Sequence, residues 1–285
     1  MKTSAVIASF LLDKRVYCSN KTILNYTEHL NRFVKHIPKN IEDLTSDDIR
    51  KYIIYLKDSG VRNVSIHTYM RSVKAFCTWL EEFEYTEYNL FNKIKLPRPD
   101  PALKVPLSVE EVKKIDKILN DRDKIIFHLM LDAGLRVSEV CNLQKQDVDL
   151  KNGLIKVNNS KYNKSRLVPL VPELANMIKQ YPDVNKNGTF LLSNRHGSPL
   201  TNNAVKQLFQ RIKRDSGLQR VHAHLLRHTF ATSYIVGGGN LEKLRIMLGH
   251  ADYSITQNYL HLAAQFDIVR YPIYRLNPIF FKKGY

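Results

Sequence analysis

Several histidines, an arginine and a tyrosine fall in one short stretch: HLLRHTF at 224–230, LGH at 248–250 and Tyr259 in QNYLHL. These residue types suit phosphate esters. An arginine fork binds two phosphate oxygens at once. Histidine accepts and donates protons near neutral pH. A phenol titrates near ~10 and becomes a nucleophile only with cationic neighbours and a base. His224 and Arg227 are three residues apart on a predicted helix, so they share a face. The set points to phosphodiester chemistry without a metal. HAHLLRH also offers His222, His224 and His228 as metal ligands. That is the weaker reading, because no nearby Asp, Glu or Cys completes a set and the surroundings are basic.

Further candidates lie upstream. LRVSE at 135–139 puts Arg136 just after Gly134, where an apolar helix runs out into a charged fork. A predicted hairpin tip carries Lys161 and Lys164, either of which could reach across a phosphate. Each residue alone has a plain reading: a solvated helix-start arginine, an exposed turn lysine, one of 15 tyrosines. The combination carries the argument.

The chain has 285 residues and a net charge of +17, and 44% of its residues are hydrophobic, so it holds a real core and favours a polyanionic partner. The charge is uneven. Residues 1–100 carry 16 Lys/Arg against 12 Asp/Glu, whereas residues 101–285 carry 28 against 15. Nucleic acid is the first expectation, and a ribosome-associated or merely soluble basic protein is the alternative. Cys18, Cys77 and Cys141 are scattered and odd in number, which suits buried or free thiols in a reducing compartment. No apolar run approaches membrane-spanning length. The start, MKTSAVIASFLLDKR, reads as a first helix rather than a signal peptide. A cytoplasmic location follows.

The positioning elements are mostly helical. Ser4 could cap a first helix running to about Lys14. Ile23, Tyr26, Leu30, Phe33 and Ile37 recur at helical spacing. Thr45 to Asp48 resembles a capping box, opening a helix that stops at Gly60. Ser65 opens another, with Ile66, Tyr69, Val73, Phe76 and Leu80 on one face, and a short helix over 89–94 could follow. The four prolines in KLPRPDPALKVP at 95–106 mark an extended linker. The expected division is therefore a helical domain over 1–97, a linker over 98–106 and a second domain over 107–285. In that second domain, SVEE at 108–111 is a capping box that Leu107 can staple. Helices follow to about Leu119, over 121–133, and from Ser138. Residues 153–170 predict a hairpin, and 189–193 could add a strand. Thr201 caps a helix that closes at Gly217. Others cover His224–Val236, the stretch after Asn240 to about Leu248, and Ser254–Ala264.

The order Arg136, Lys161 on a hairpin, His224-x-x-Arg227, Leu-Gly-His250 and Tyr259 resembles the tyrosine recombinase, or lambda-integrase, family. The likeness spans the whole second half. The N-terminal half is similar to the family's core-binding domain through TILNYTEHLNRF and SIHTYMRSVKAFCTWL. In plan the chain is closer to Xer-type recombinases and compact integrases of mobile elements than to the larger phage integrases that carry an extra arm-binding domain. The resemblance implies a mainly α fold with a small β-sheet. An N-terminal SAM-like core-binding domain would precede a C-terminal α+β catalytic domain.

The resemblance also implies roles. Arg136 and Arg227 would clamp the scissile phosphate. Tyr259 would attack phosphorus to give a 3′-phosphotyrosyl link. Lys161 would protonate the departing 5′-oxygen, with Lys164 as its rival because SKYNKSR lacks the Gly-Lys-Gly opening of many relatives. His224 would be the general base and His250 would hydrogen-bond the phosphate. Glu139 would orient its neighbours. No cofactor or metal is implied. The partners would be double-stranded DNA and other copies of the chain, as a tetramer on two recombination sites. The tail after Tyr259, unlike that of typical Xer proteins, would dock on a neighbouring copy. The competing readings are an accessory DNA-binding protein that has lost the chemistry and a type IB-like topoisomerase. The first would lack one of Arg136, Arg227 or Tyr259, and none is lost.

Overall fold

A computed structural model describes residues 1–99, 105–158, 165–181, 188–194 and 196–250, together with residues 253, 256, 257, 259 and 260. The chain divides into two compact units, Met1–Ala102 and Leu103–Tyr285. Among the described residues, no helix is long and apolar enough to cross a membrane.

The described residues of unit one hold four α-helices: α1 Thr3–Arg15, α2 Asn20–His36, α3 Ser46–Asp58 and α4 Asn63–Glu82. The amphipathic stripes seen in the sequence become its core. Leu30, Phe33, Ile49, Ile66, Val73, Phe76 and Leu80 are fully buried, each burial worth about 1.5–3 kcal/mol. Phe10 meets Tyr26, Phe76 and Trp79 edge-on, with ring centroids 5.3–5.7 Å apart. Thr45 and Asp48 form the expected capping box. Three details differ from expectation. Lys2, not Ser4, precedes α1. Helix α4 begins two residues before Ser65. Residues 89–94 form turns rather than a helix, because the Asn89 side chain accepts the Phe91 N–H in a local Asx turn.

Unit two contains α5 Val109–Asp116, α6 Asp121–Leu131, α7 Val137–Cys141, α8 Pro172–Gln180, α9 Asn202–Ser216, α10 Ala223–Val236 and α11 Leu241–Leu248. A three-stranded antiparallel sheet lies among them: β1 Val148–Asp149, β2 Leu154–Val157 and β3 Arg166–Pro169, in that order. Ser108 and Glu111 cap α5 reciprocally, and Leu107 is fully buried beside them. Helix α5 stops at Asp116, short of Leu119. The hairpin is β2 with β3, paired Ile155↔Val168 and Val157↔Arg166. The predicted hairpin tip, including Lys161 and Lys164, lies outside the described residues.

Two expectations fail here. Residues 189–193 form no strand. They make only isolated bridges, Gln144↔Phe190 and Ser193↔Pro199, and the third strand is β1 instead. A five-residue β-prone run has no strand without a partner edge to pair with. Helix α8 was not anticipated, although Pro172 sits in its first turn, where proline is favoured. Of the predicted last helix over 254–264, the described residues Thr256, Gln257, Tyr259 and Leu260 are helical.

Candidate active site

The site is built around the C-terminal end of α11. The last carbonyls of a helix have no partner within it and carry the negative end of the helix dipole. Here four consecutive carbonyls each accept from a different arginine. Met247 accepts from Arg166 Nε at 2.6 Å, Leu248 from Arg227 Nη2, Gly249 from Arg136 Nη2 at 3.1 Å and His250 from Arg245 Nη1 at 3.1 Å. Gly249 makes this possible. It ends α11 at a positive φ of 61°, and a Cβ there would press on the Arg166 side chain at 3.2–3.3 Å.

Gly134 plays the matching part on the other side. Its φ is +64°, and a Cβ would meet the Phe230 ring at 2.6 Å. Its carbonyl accepts from Arg227 Nη1. Arg227 on α10 therefore laces the Gly134 turn to the end of α11. Burial, then the Arg136 guanidinium, pushes its pKa down to about 9, so it stays cationic at neutral pH. Two bonds do not exhaust a guanidinium, which has five N–H donors.

Arg136 precedes α7, with about a third of its side chain exposed. Glu139 one turn on holds it through the backbone N–H at 2.8 Å and through Nη1 at 2.9 Å. The same carboxylate receives both Nη atoms of Arg166, at 2.9 and 2.8 Å. Burial opposes ionisation of Glu139. The bonds and charge of Arg166, and then Arg136, outweigh it and hold the carboxyl below its usual range. Arg136, Arg166 and Arg227 thus gather around one acidic residue. The surplus of positive charge suits an oxyanion such as a phosphodiester.

Tyr259 stands beside this cluster. Its ring centroid is 5.4 Å from that of His228 and 6.4 Å from that of His250, the latter pair nearly parallel at 13°. Burial raises the pKa of the phenol and Arg227 opposes this, with a net rise. It is therefore protonated at neutral pH. The His250 Nδ1 lies 3.0 Å from the hydroxyl of the fully buried Thr256. Burial, then Arg227, Arg136, Arg166 and Arg245, drives the His250 pKa down to about 4. His250 is therefore a neutral imidazole at physiological pH. His224 is exposed in the first turn of α10, one turn ahead of Arg227.

The structure thus gathers Arg136, Arg227, His250 and Tyr259. It sets His224 on the helix that carries Arg227, while Lys161 lies outside the described residues. His222, offered above as a metal ligand, instead donates from Nδ1 to the Arg220 carbonyl at 2.7 Å. Among the described residues, no three His, Cys, Asp or Glu side chains group as a metal set. Sequence reasoning missed Arg166, His228 as a neighbour of Tyr259, and Thr256. A signal for Arg166 existed. In RLVP the strand alternation puts residue 166 on the same face as the buried Val168, with Leu167 outward. A guanidinium on the core face needs a carboxylate partner.

Residues 106–265 match the phage integrase family, and residues 9–83 match its N-terminal SAM-like domain. A tyrosine recombinase of Thermosipho africanus is 29% identical over 282 residues, covering 94% of this chain and 99% of the relative. Tyrosine recombinase XerA of Thermococcus kodakarensis is 31% identical over 254 residues, covering 87% of this chain and 86% of the relative. In fold, the chain resembles the solved Tn1549 transposon integrase in complex with circular intermediate DNA. The TM-score is 0.76 at 23% identity, covering 91% of this chain and 95% of that one. With the family match at residues 106–265 spanning more than half its length, this chain belongs to the phage integrase family and is a tyrosine recombinase.

Proposed function

We propose that the chain cuts and rejoins DNA strands at specific sites through a 3′-phosphotyrosyl intermediate. One observation carries this reading: Arg136, Arg166 and Arg227 gather around the single carboxylate of Glu139, with Tyr259 within electrostatic reach of Arg227. Arg136 and Arg227 hold the non-bridging oxygens of the scissile phosphate. Arg166 stays with Glu139 and keeps Arg136 in place. The Tyr259 oxygen attacks phosphorus and the bond to the 5′-oxygen breaks. His224 takes the phenolic proton, and Lys161, or its rival Lys164, gives one to the leaving oxygen. His250, neutral and steadied at Nδ1 by Thr256, hydrogen-bonds the phosphate. The broken bond's energy stays in the phosphotyrosine, and a 5′-hydroxyl from the partner strand completes the exchange. Neither metal nor ATP enters these steps.

The basic excess after residue 100 supports binding along the duplex backbone. The working assembly is a tetramer on two recombination sites, with the segment after residue 265 docking on a neighbouring copy. Deleting 266–285 should abolish cooperative assembly on DNA, and unchanged assembly would remove that part of the proposal. The tail's departure from the Xer pattern favours integration and excision of a mobile element over Xer-type resolution. The free thiols of Cys18, Cys77 and Cys141 suit the cytoplasm. The deciding experiment uses a nicked half-site from the protein's own locus. A covalent protein–DNA adduct should form, and Tyr259→Phe should abolish it while binding persists. An adduct that survives Tyr259→Phe means that the nucleophile lies elsewhere.

A further inference from the structure

A second cluster of ionised groups lies outside the reaction centre. His128, in the last turn of α6, is fully buried, and both of its ring nitrogens face carboxylates. Nδ1 is 2.8 Å from Asp132 Oδ2, and Nε2 is 2.8 Å from Asp116 Oδ1 on α5. A carboxylate only accepts, so both nitrogens donate and the ring is an imidazolium. The Phe127 ring stands edge-on at 5.2 Å.

The Asp116 pair fastens α5 to α6, which accounts for one half of the cluster. The Asp132 pair lies within a single turn and adds nothing to that fastening. It acts on the end of the helix instead. Asp132 is the C-cap of α6, with 4% of its side chain exposed. His128 holds it twice: the Asp132 N–H donates to the His128 carbonyl at 2.7 Å, and its carboxylate accepts from the ring. The chain then turns sharply. The Leu135 N–H returns to the Leu129 carbonyl at 3.1 Å across the left-handed Gly134. Two residues beyond Asp132, the Gly134 carbonyl receives Arg227, and four beyond it Arg136 reaches Gly249.

We propose that His128 is a positioning residue for strand cleavage: by gripping Asp132 it fixes the end of α6, and with it the turn that delivers Arg136 and the Gly134 carbonyl to the reaction centre. The inference rests on the cleavage reaction proposed above. A reaction centre tolerates little displacement. A shift of about 1 Å can cost on the order of 100-fold in rate.

The test uses the full chain with the nicked half-site at saturating concentration. It measures the rate of adduct formation, the DNA affinity and the amide hydrogen exchange of residues 133–136. Asp132→Asn and His128→Gln should each slow the adduct by roughly tenfold or more. DNA affinity should stay within about twofold, and the 133–136 amides should exchange faster. Asp116→Asn, which takes the charge from the tie to α5, should keep the rate within about twofold. His128→Gln carries the test alone if Asp132→Asn does not fold. Equal rate losses in Asp116→Asn and Asp132→Asn overturn the inference, because the cluster then acts only as a fastener. Unchanged exchange at 133–136 in the variants of residues 128 and 132 overturns it as well. If wild type forms no adduct but exchange still responds to these variants, the cleavage reading falls and the positioning of the turn stands.

Discussion

Replacing Glu139 by glutamine keeps the shape of the side chain and removes its charge. In the structure this carboxylate accepts four bonds: the Arg136 backbone N–H, Arg136 Nη1 and both Nη atoms of Arg166, all at 2.8–2.9 Å. Only 7% of the Arg166 side chain and 9% of that of Glu139 are exposed. The variant therefore leaves a guanidinium buried without a counter-charge, and its new amide N–H₂ points a donor at donors. Breaking a buried pair from one side costs about 3–5 kcal/mol. For a unit of this size each kcal/mol lowers Tm by about 2–4 °C, so calorimetry should register a fall of roughly 6–20 °C. Combining Glu139→Gln with Arg166→Met removes both charges. The double variant should be no less stable than Glu139→Gln alone, because a shape-matched apolar replacement of a buried pair is close to neutral. The adduct rate should fall in both, since Arg136 loses its brace. A loss of under about 1 kcal/mol in Glu139→Gln, the value typical of a surface pair, refutes the reasoning. Additive losses in the double variant would do the same.

Three further outcomes are expected. His128 has its pKa raised to about 9, Asp132 and Asp116 overcoming the burial that opposes charge. Its unfolded value is near ~6.5, so its contribution of about 3 kcal/mol is fully present below that pH and is lost as pH rises towards 9. Denaturant unfolding of wild type and His128→Gln should differ most near pH 6 and converge above pH 9. A constant difference across that window contradicts the ion pairing. His250, held near a pKa of about 4, should show no imidazole titration by NMR between pH 5.5 and 8 at about one pH unit or more from its midpoint. A midpoint near ~6.5 would mean that the arginines do not act on it. Gly134→Ala places a Cβ 2.6 Å from the Phe230 ring at a φ of +64°. It should cost about 1–3 kcal/mol or more and slow the adduct by moving the Arg227 acceptor, whereas a silent variant would show that the turn relaxes freely.

Much was legible in the chain alone, for reasons particular residues make plain. Apolar residues at helical spacing lay out α2 and α4, and the local pairs Thr45/Asp48 and Ser108/Glu111 mark the starts of α3 and α5, because capping needs only neighbours in sequence. Arg136, Arg227, His250 and Tyr259 stand out because their types and spacing suit phosphate chemistry. Interactions between distant segments were not legible. Whether 189–193 becomes a strand depends on an edge to pair with, and the hydrogen bonds of 89–94 are settled by one Asn89 side chain. The charge states lay further out of reach. Neutral His250 and charged His128 are the same residue type with the same intrinsic pKa, driven in opposite directions by arginines in one case and aspartates in the other.

The sequence by itself determined which groups are available: the helices, their caps, and an inventory of arginine, histidine and tyrosine suited to a phosphodiester. Only the tertiary structure decided how they act. It brings Arg166 from β3 to Glu139 in α7 and gathers arginines from three other segments on the open end of α11. Helical and strand periodicity are properties of neighbours along the chain, whereas a carbonyl left over at a helix end takes whichever donor the fold brings near it.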